Sequence, residues 1–167
     1  MDSIIQFIDS TNEKIGKAFS WLMLVMAGVT FITVIFRYLF GVGWVWMQEI
    51  SVYSHAVIFL GVAGFALLKD GHVRVDIFYR GASARRKAWV NLLGTSLLLF
   101  PTCILIFSGS LPYVIDSWSV FEGSKDGGGL EAVFILKSFI LVFSVLLFLQ
   151  GFSEILKSLK VLNERHS

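Results

Sequence analysis

The chain has 167 residues, a formal net charge of +2, 56% hydrophobic against 16% charged residues, and a mean hydropathy of +0.76. One domain of this size cannot hide so much apolar surface from water, so its solvent is a bilayer, and the small net charge speaks against a nucleic-acid partner. The single cysteine, Cys103, lies inside an apolar run, which excludes an internal disulfide and argues against a cysteine-rich metal site.

Taken in order, the chain opens with Ile4, Ile5, Phe7, Ile8 and Ile15 at helical spacing, interleaved with Asp9, Asn12, Glu13 and Lys17. That pattern predicts a short amphipathic helix lying on the cytoplasmic face of a membrane. Four apolar runs follow, each long enough to cross a hydrocarbon core of about 30 Å. The first runs from Ala18 to Phe36, the second from Ile50 to Leu68, the third from Ala88 to Ile115 and the fourth from Ala132 to Ser153. The first is too long for the core of a signal peptide and no small-x-small cleavage site follows it, so it reads as a retained helix. Pro101 interrupts the third run and predicts a kink, with Thr102 and Ser108 placed to satisfy freed carbonyls. The expected fold is all-α: one membrane domain over residues 1–167, with four transmembrane helices plus the interfacial one.

The loops give an orientation. Lys14 and Lys17 precede the first run; Lys69, Arg74, Arg80, Arg85, Arg86 and Lys87 separate the second and third; Lys157, Lys160 and Arg165 follow the fourth. The other side carries only Arg37 and Lys125, so both termini and the central loop are expected in the cytoplasm. Trp21, Trp44, Trp46, Trp89 and Trp118 fall near run ends, where aromatic belts sit at headgroup level.

Catalytic constellations are missing from the pattern. Gly127-Gly128-Gly129 lacks the Lys-Ser or Lys-Thr of a phosphate loop and reads as a hinge before the fourth helix. His55 lies within the second run; no histidine lies in the other three, so a haem would need a second chain to complete its ligands. Its simpler role is a polar group facing another helix. Lys137, early in the fourth run, can snorkel back to the outer surface. Arg37 ends the first run and Glu49 opens the second, where an acid suits the helix dipole. They are read as rim charges, as an ion pair, or as contacts to a partner chain.

One stretch is more specific. From Arg37 to Asp76 the chain reads RYLFGVGWVWMQEISVYSHAVIFLGVAGFALLKDGHVRVD. Its Arg-Tyr-x-Phe, Trp-x-x-Glu, Leu-Gly-x-Ala and Gly-His-Val-Arg-Val-Asp, in that order, resemble the small membrane subunit (DctQ or Q-type) of tripartite ATP-independent periplasmic (TRAP) transporters. The stretch from Trp118 to Lys137, with Glu122-Gly123-Ser124, is similar to one branch of the same family.

The resemblance implies a scaffold in the bacterial inner membrane rather than an enzyme, with no cofactor and no metal. Its partners would be a large M-type membrane subunit, a periplasmic substrate-binding protein and membrane phospholipids. Uptake would be sodium-coupled, of an organic acid such as a carboxylate or sulfonate. The family motif places subunit or lipid contacts at Arg37, Glu49, His72, Arg74 and Asp76. The residues agree with a partner role, since the chain has no broken-helix pair, inverted repeat or cluster of midplane acids. A haem- or quinone-associated anchor of a redox complex is the alternative.

Overall fold

The computed structural model describes residues 1–71 and 81–163, all helix or connecting loop, with no strand among them. Helix α1 (Asp2–Ser20) has an acid in its first turn and Lys17 in its last, which suits the helix dipole, and it buries Ile8, Asn12 and Gly16. A single turn residue, Trp21, separates it from α2 (Leu22–Leu39). The expected amphipathic helix is thus present and runs almost without a break into the first apolar run.

Helices α3 (Val45–Gly61) and α4 (Ala63–Leu68) form one bent rod. The bonds Val62 N–H to Ile58 O (3.0 Å) and Ala66 N–H to Val62 O (2.8 Å) carry the helical ladder across the junction. Residues 45–68 therefore span roughly 36 Å at 1.5 Å per residue.

Helix α5 (Ala84–Gly94) starts at Ser83, whose hydroxyl accepts from Arg86 N–H. The π-helical turn Thr95–Leu99 links it to α6 (Phe100–Ser119). The predicted disturbance at Pro101 takes this form: the wider turn just before the proline makes room for its ring and missing N–H, and the helix continues. Ser108 donates to Leu105 O at 3.3 Å, about two turns beyond the Leu97 carbonyl that Pro101 leaves free, so it plays a different part from the one expected.

Helix α7 (Val133–Asn163) is the spine, with α1, α3, α4, α5 and α6 all packed on it. Helix α1 runs antiparallel to it. Asp2 meets Lys160, Asp9 meets Ser153, Asn12 meets Gln150, and the Phe19 ring meets Phe139 edge-on at 5.7 Å. On the other flank the Phe100 and Phe148 rings stack at 4.3 Å beside a core of Ala63, Cys103 and Leu147.

The surface is more apolar than the interior. Phe31, Phe59, Leu98 and Leu105 are each two-thirds exposed or more, while Gln150 and Ser153 are wholly buried. Water would make that arrangement costly, whereas lipid makes it stable. Among the described residues, three helical stretches are long and apolar enough to cross a membrane: Asp2–Leu39, Ala84–Ser119 and Val133–Asn163. The bent rod over residues 45–68 is compatible with a fourth crossing.

Candidate functional site

Two polar clusters occupy opposite parts of the bundle, both anchored on α7 or the loop leading into it. One begins at Glu49 in the first turns of α3. One carboxylate oxygen accepts from the Ser124 hydroxyl, and the other accepts from Leu130 N–H at 2.5 Å. A Cβ on Gly129 would stand 2.7 Å from Glu49 Oε2, so only glycine lets the loop come this close. Glu49 thereby holds the segment between α6 and α7 against the start of α3.

A second acid, Glu122, accepts from the Ser117 hydroxyl at 2.7 Å and pairs with the Lys137 ammonium. That ammonium also lies 3.8 Å from the centre of the Tyr113 ring. The Lys137 side chain thus reaches the loop between α6 and α7 and ends on a carboxylate. The hydrogen bonds from Lys137 and then Ser117 hold the Glu122 carboxyl below its ordinary value of 4.5. A lowered carboxylate stabilises the fold fully above that ordinary value, and the contribution disappears as pH falls through the lowered one. Lys137→Met is therefore expected to lower the thermal midpoint of the detergent-solubilised chain at pH 7. The gap to wild type should narrow as the buffer is taken below pH 4.5, and Lys137→Arg should stay close to wild type. A gap that is flat across pH would show that Lys137 acts through packing alone.

The other cluster clips α1 to α7. Gln150 accepts from Asn12 Nδ2 at 2.9 Å and donates to Asp9 Oδ1 at 2.9 Å. Ser153 donates to the same Asp9 oxygen at 2.7 Å. Lys157 bridges Asp9 (2.8 Å) and Glu154 (2.7 Å). Asn12 Oδ1 is buried without a hydrogen-bond partner, and Gly64 of α4 explains it: a Cβ there would overlap this oxygen and stand 2.9 Å from Leu146 O. The oxygen faces the Cα–H of the glycine, a weak but favourable contact. Asp9, Asn12, Gln150 and Ser153 were not singled out from sequence. The available signal was Gln150, Ser153 and Lys157, which share one helical face near the end of a long apolar run.

The other sequence candidates fall as follows. Arg37 is exposed at the end of α2 and makes no ion pair with Glu49, whose oxygens are taken by Ser124 and Leu130. His55 faces outward from α3 rather than toward another helix of this chain. His72, Arg74 and Asp76 lie outside the described residues. Among the described residues, no group of three or more His, Cys, Asp or Glu side chains is placed to hold a metal ion. A hollow of about 300 Å³ between α6 and α7, lined by Cys103, Phe107, Ser144 and Phe148 among others, carries no carboxylate, lysine, arginine or histidine.

Comparison with known proteins gives a consistent picture. Residues 26–161 match the family described as tripartite ATP-independent periplasmic transporters, DctQ component. A curated relative is the C4-dicarboxylate TRAP transporter small permease protein DctQ of Vibrio cholerae serotype O1. It is 32% identical over 117 residues, which cover 70% of this chain and 46% of the relative. The chain thus spans about half the length of the curated relative it matches. No solved structure matches.

Proposed function

Because the chain belongs to the DctQ family, the small membrane subunits of TRAP transporters, we propose that it is the scaffold subunit of a sodium-coupled, binding-protein-dependent importer of an organic acid. The observation that carries this reading is the family match over residues 26–161. Members of the family are transporter subunits and not enzymes, and the match does not favour the redox-anchor alternative.

The partners in this reading are a large M-type membrane subunit and a periplasmic binding protein. The apolar outer surface supports it, since a scaffold needs broad faces for lipid and for a neighbouring subunit. A carboxylate is the favoured cargo class, in line with the name of the Vibrio relative. The chain sits in the inner membrane as a multi-pass protein, with the rod over residues 45–68 as the fourth crossing and both termini in the cytoplasm. It forms a single membrane domain. The motif residues Arg37, His72, Arg74 and Asp76 are contacts for the large subunit or for phospholipid headgroups.

Two experiments bear on this. Reconstituted alone in liposomes under an inward sodium gradient, the chain should move no organic acid, even with a binding protein present. With the large subunit added, uptake should appear and should collapse when the gradient is removed. Sodium-driven uptake by this chain alone would overturn the scaffold role. For orientation, single cysteines in a Cys103→Ser background should be labelled from the periplasm at positions 43 and 125 but not at 85. Labelling at 85 in intact cells would reverse the topology.

A further inference from the structure

Helix α3 is packed on one side only. Ser51, at one edge of the packed side, accepts a hydrogen bond from Thr30 of α2 at 3.1 Å, and farther round Ser54 and Gly61 are buried. The opposite side carries Gln48, Val52, His55 and Phe59, spaced four, three and four residues apart, which places them within an arc of about 60° on a helix. All four are exposed, Val52 by 61% and Phe59 by 71%. No other described helix of this chain covers that stripe.

Resting on the scaffold reading above, we propose that this stripe is the seat of a transmembrane helix of the large subunit, and that the seated helix offers a hydrogen-bond acceptor to the imidazole of His55. The argument turns on depth. His55 lies about 15 Å along the axis from Val45, near three turns below the start of the helix. Its side chain is too short to lift a ring nitrogen from there to the headgroups, unlike the long stem that lets Lys137 reach Glu122. An imidazole in any protonation state carries at least one N–H donor. His55 makes no hydrogen bond or ion pair with any described residue of the chain. Ser138 and Ser144 meet the same need by donating to carbonyls four residues earlier. Lipid tails offer no acceptor, so a lipid-covered His55 would leave its donor unsatisfied.

The flanking residues fit a helix as occupant. Val52 and Phe59, two turns apart, form an apolar ridge above and below the imidazole. Gln48 puts a second hydrogen-bonding group at the outer end, which fixes the register of whatever packs there. The contact is therefore apolar along its length, with one polar lock at the level of His55.

The test uses the full chain co-expressed with the large subunit of its transporter. His55→Leu should weaken co-purification in detergent by roughly three- to fifteenfold, the range for one interhelical hydrogen bond in a membrane. His55→Gln, which keeps a donor at similar reach, should recover much of it. The isolated His55→Leu chain should melt as wild type does, because the exposed side chain makes no hydrogen bond or ion pair with a described residue. A photoreactive benzoylphenylalanine at position 52 or 59 should cross-link to the large subunit. If the wild-type complex forms but both positions yield only lipid adducts or cross-linked copies of this chain, the seat is elsewhere and the scaffold function stands. Unchanged co-purification of His55→Leu likewise removes the polar lock. If no complex forms with the wild-type chain, the scaffold reading falls and this seat falls with it.

Discussion

Gly64→Val is expected to detach α1 from the bundle. A Cβ at this position meets the Asn12 carboxamide and the Leu146 carbonyl at once, and the latter belongs to the α7 backbone. Overpacking of this kind costs about 1–3 kcal/mol when neighbours can shift, and a helix backbone shifts least. The loss then spreads, because Asn12 is one turn from Asp9, and the two share Gln150. If α1 moves away, Gln150 loses two of its partners at a wholly buried position. Each buried polar group so orphaned costs roughly 1–3 kcal/mol. Spin labels at positions 10 and 159, in a Cys103→Ser background, would report the separation of the two helices. The wild-type distance distribution should be narrow and that of Gly64→Val broad, with a lower thermal midpoint. Gly64→Ala should fall between them, and Gln150→Leu should reproduce the loosening without any steric clash. A narrow, unchanged distribution in Gly64→Val would show that α1 is held by other contacts.

The two polar clusters explain why such a lipid-facing bundle keeps one arrangement. In a membrane the apolar faces of helices are equally content against lipid, so burial of apolar surface does not select a packing. Direction comes from groups that lipid cannot satisfy. Asp9, Asn12, Gln150, Ser153 and Lys157 fix α1 along one half of α7. Glu49, Glu122 and Lys137 fix the loop between α6 and α7 at the other end. The two sets sit at opposite ends of α7, so the spine is pinned at both.

Much of the architecture was legible in the sequence, for a plain physical reason: a span must satisfy its own backbone, so it must be helical and apolar over a fixed length. Hence the predicted run from Ala132 to Ser153 lies within α7 but for its first residue, and the run from Ala88 to Ile115 lies inside the α5–α6 rod. Pro101 announced a local irregularity because it has no N–H to give, although its form as a π turn was not readable. The contacts were harder. Asp9 and Gln150 are far apart in sequence, and nothing in one chain says that a carboxylate near the start will find an amide near the end. The same holds for Glu49, which was read against Arg37 because the two flank the short link between neighbouring apolar runs. The structure turns it toward Ser124 and Leu130, residues from a glycine-rich loop that looked like a plain hinge.

That loop yields the second large effect. Glu49→Ala removes an acceptor from the Ser124 hydroxyl and from Leu130 N–H together. Hydrogen bonds to a charged group contribute about 1.5–3 kcal/mol each, so losing both should destabilise the closed loop by about 3 kcal/mol or more. Glu49→Gln keeps one carbonyl oxygen but turns an amide N–H₂ toward a donor, so it should lose most of the same stabilisation. The readout is trypsin cleavage after Lys125, which is exposed within the loop. Cleavage that depends on local opening follows the open population, so either variant of the isolated chain should be cut at least about tenfold faster than wild type. Reversing both rim charges, Arg37→Glu with Glu49→Arg, should not restore protection, because the two side chains are not paired. Restored protection would revive the ion pair. Equal cleavage of wild type and Glu49→Ala in the isolated chain, with a defect only after the large subunit is added, would move the role of Glu49 from its own loop to the partner.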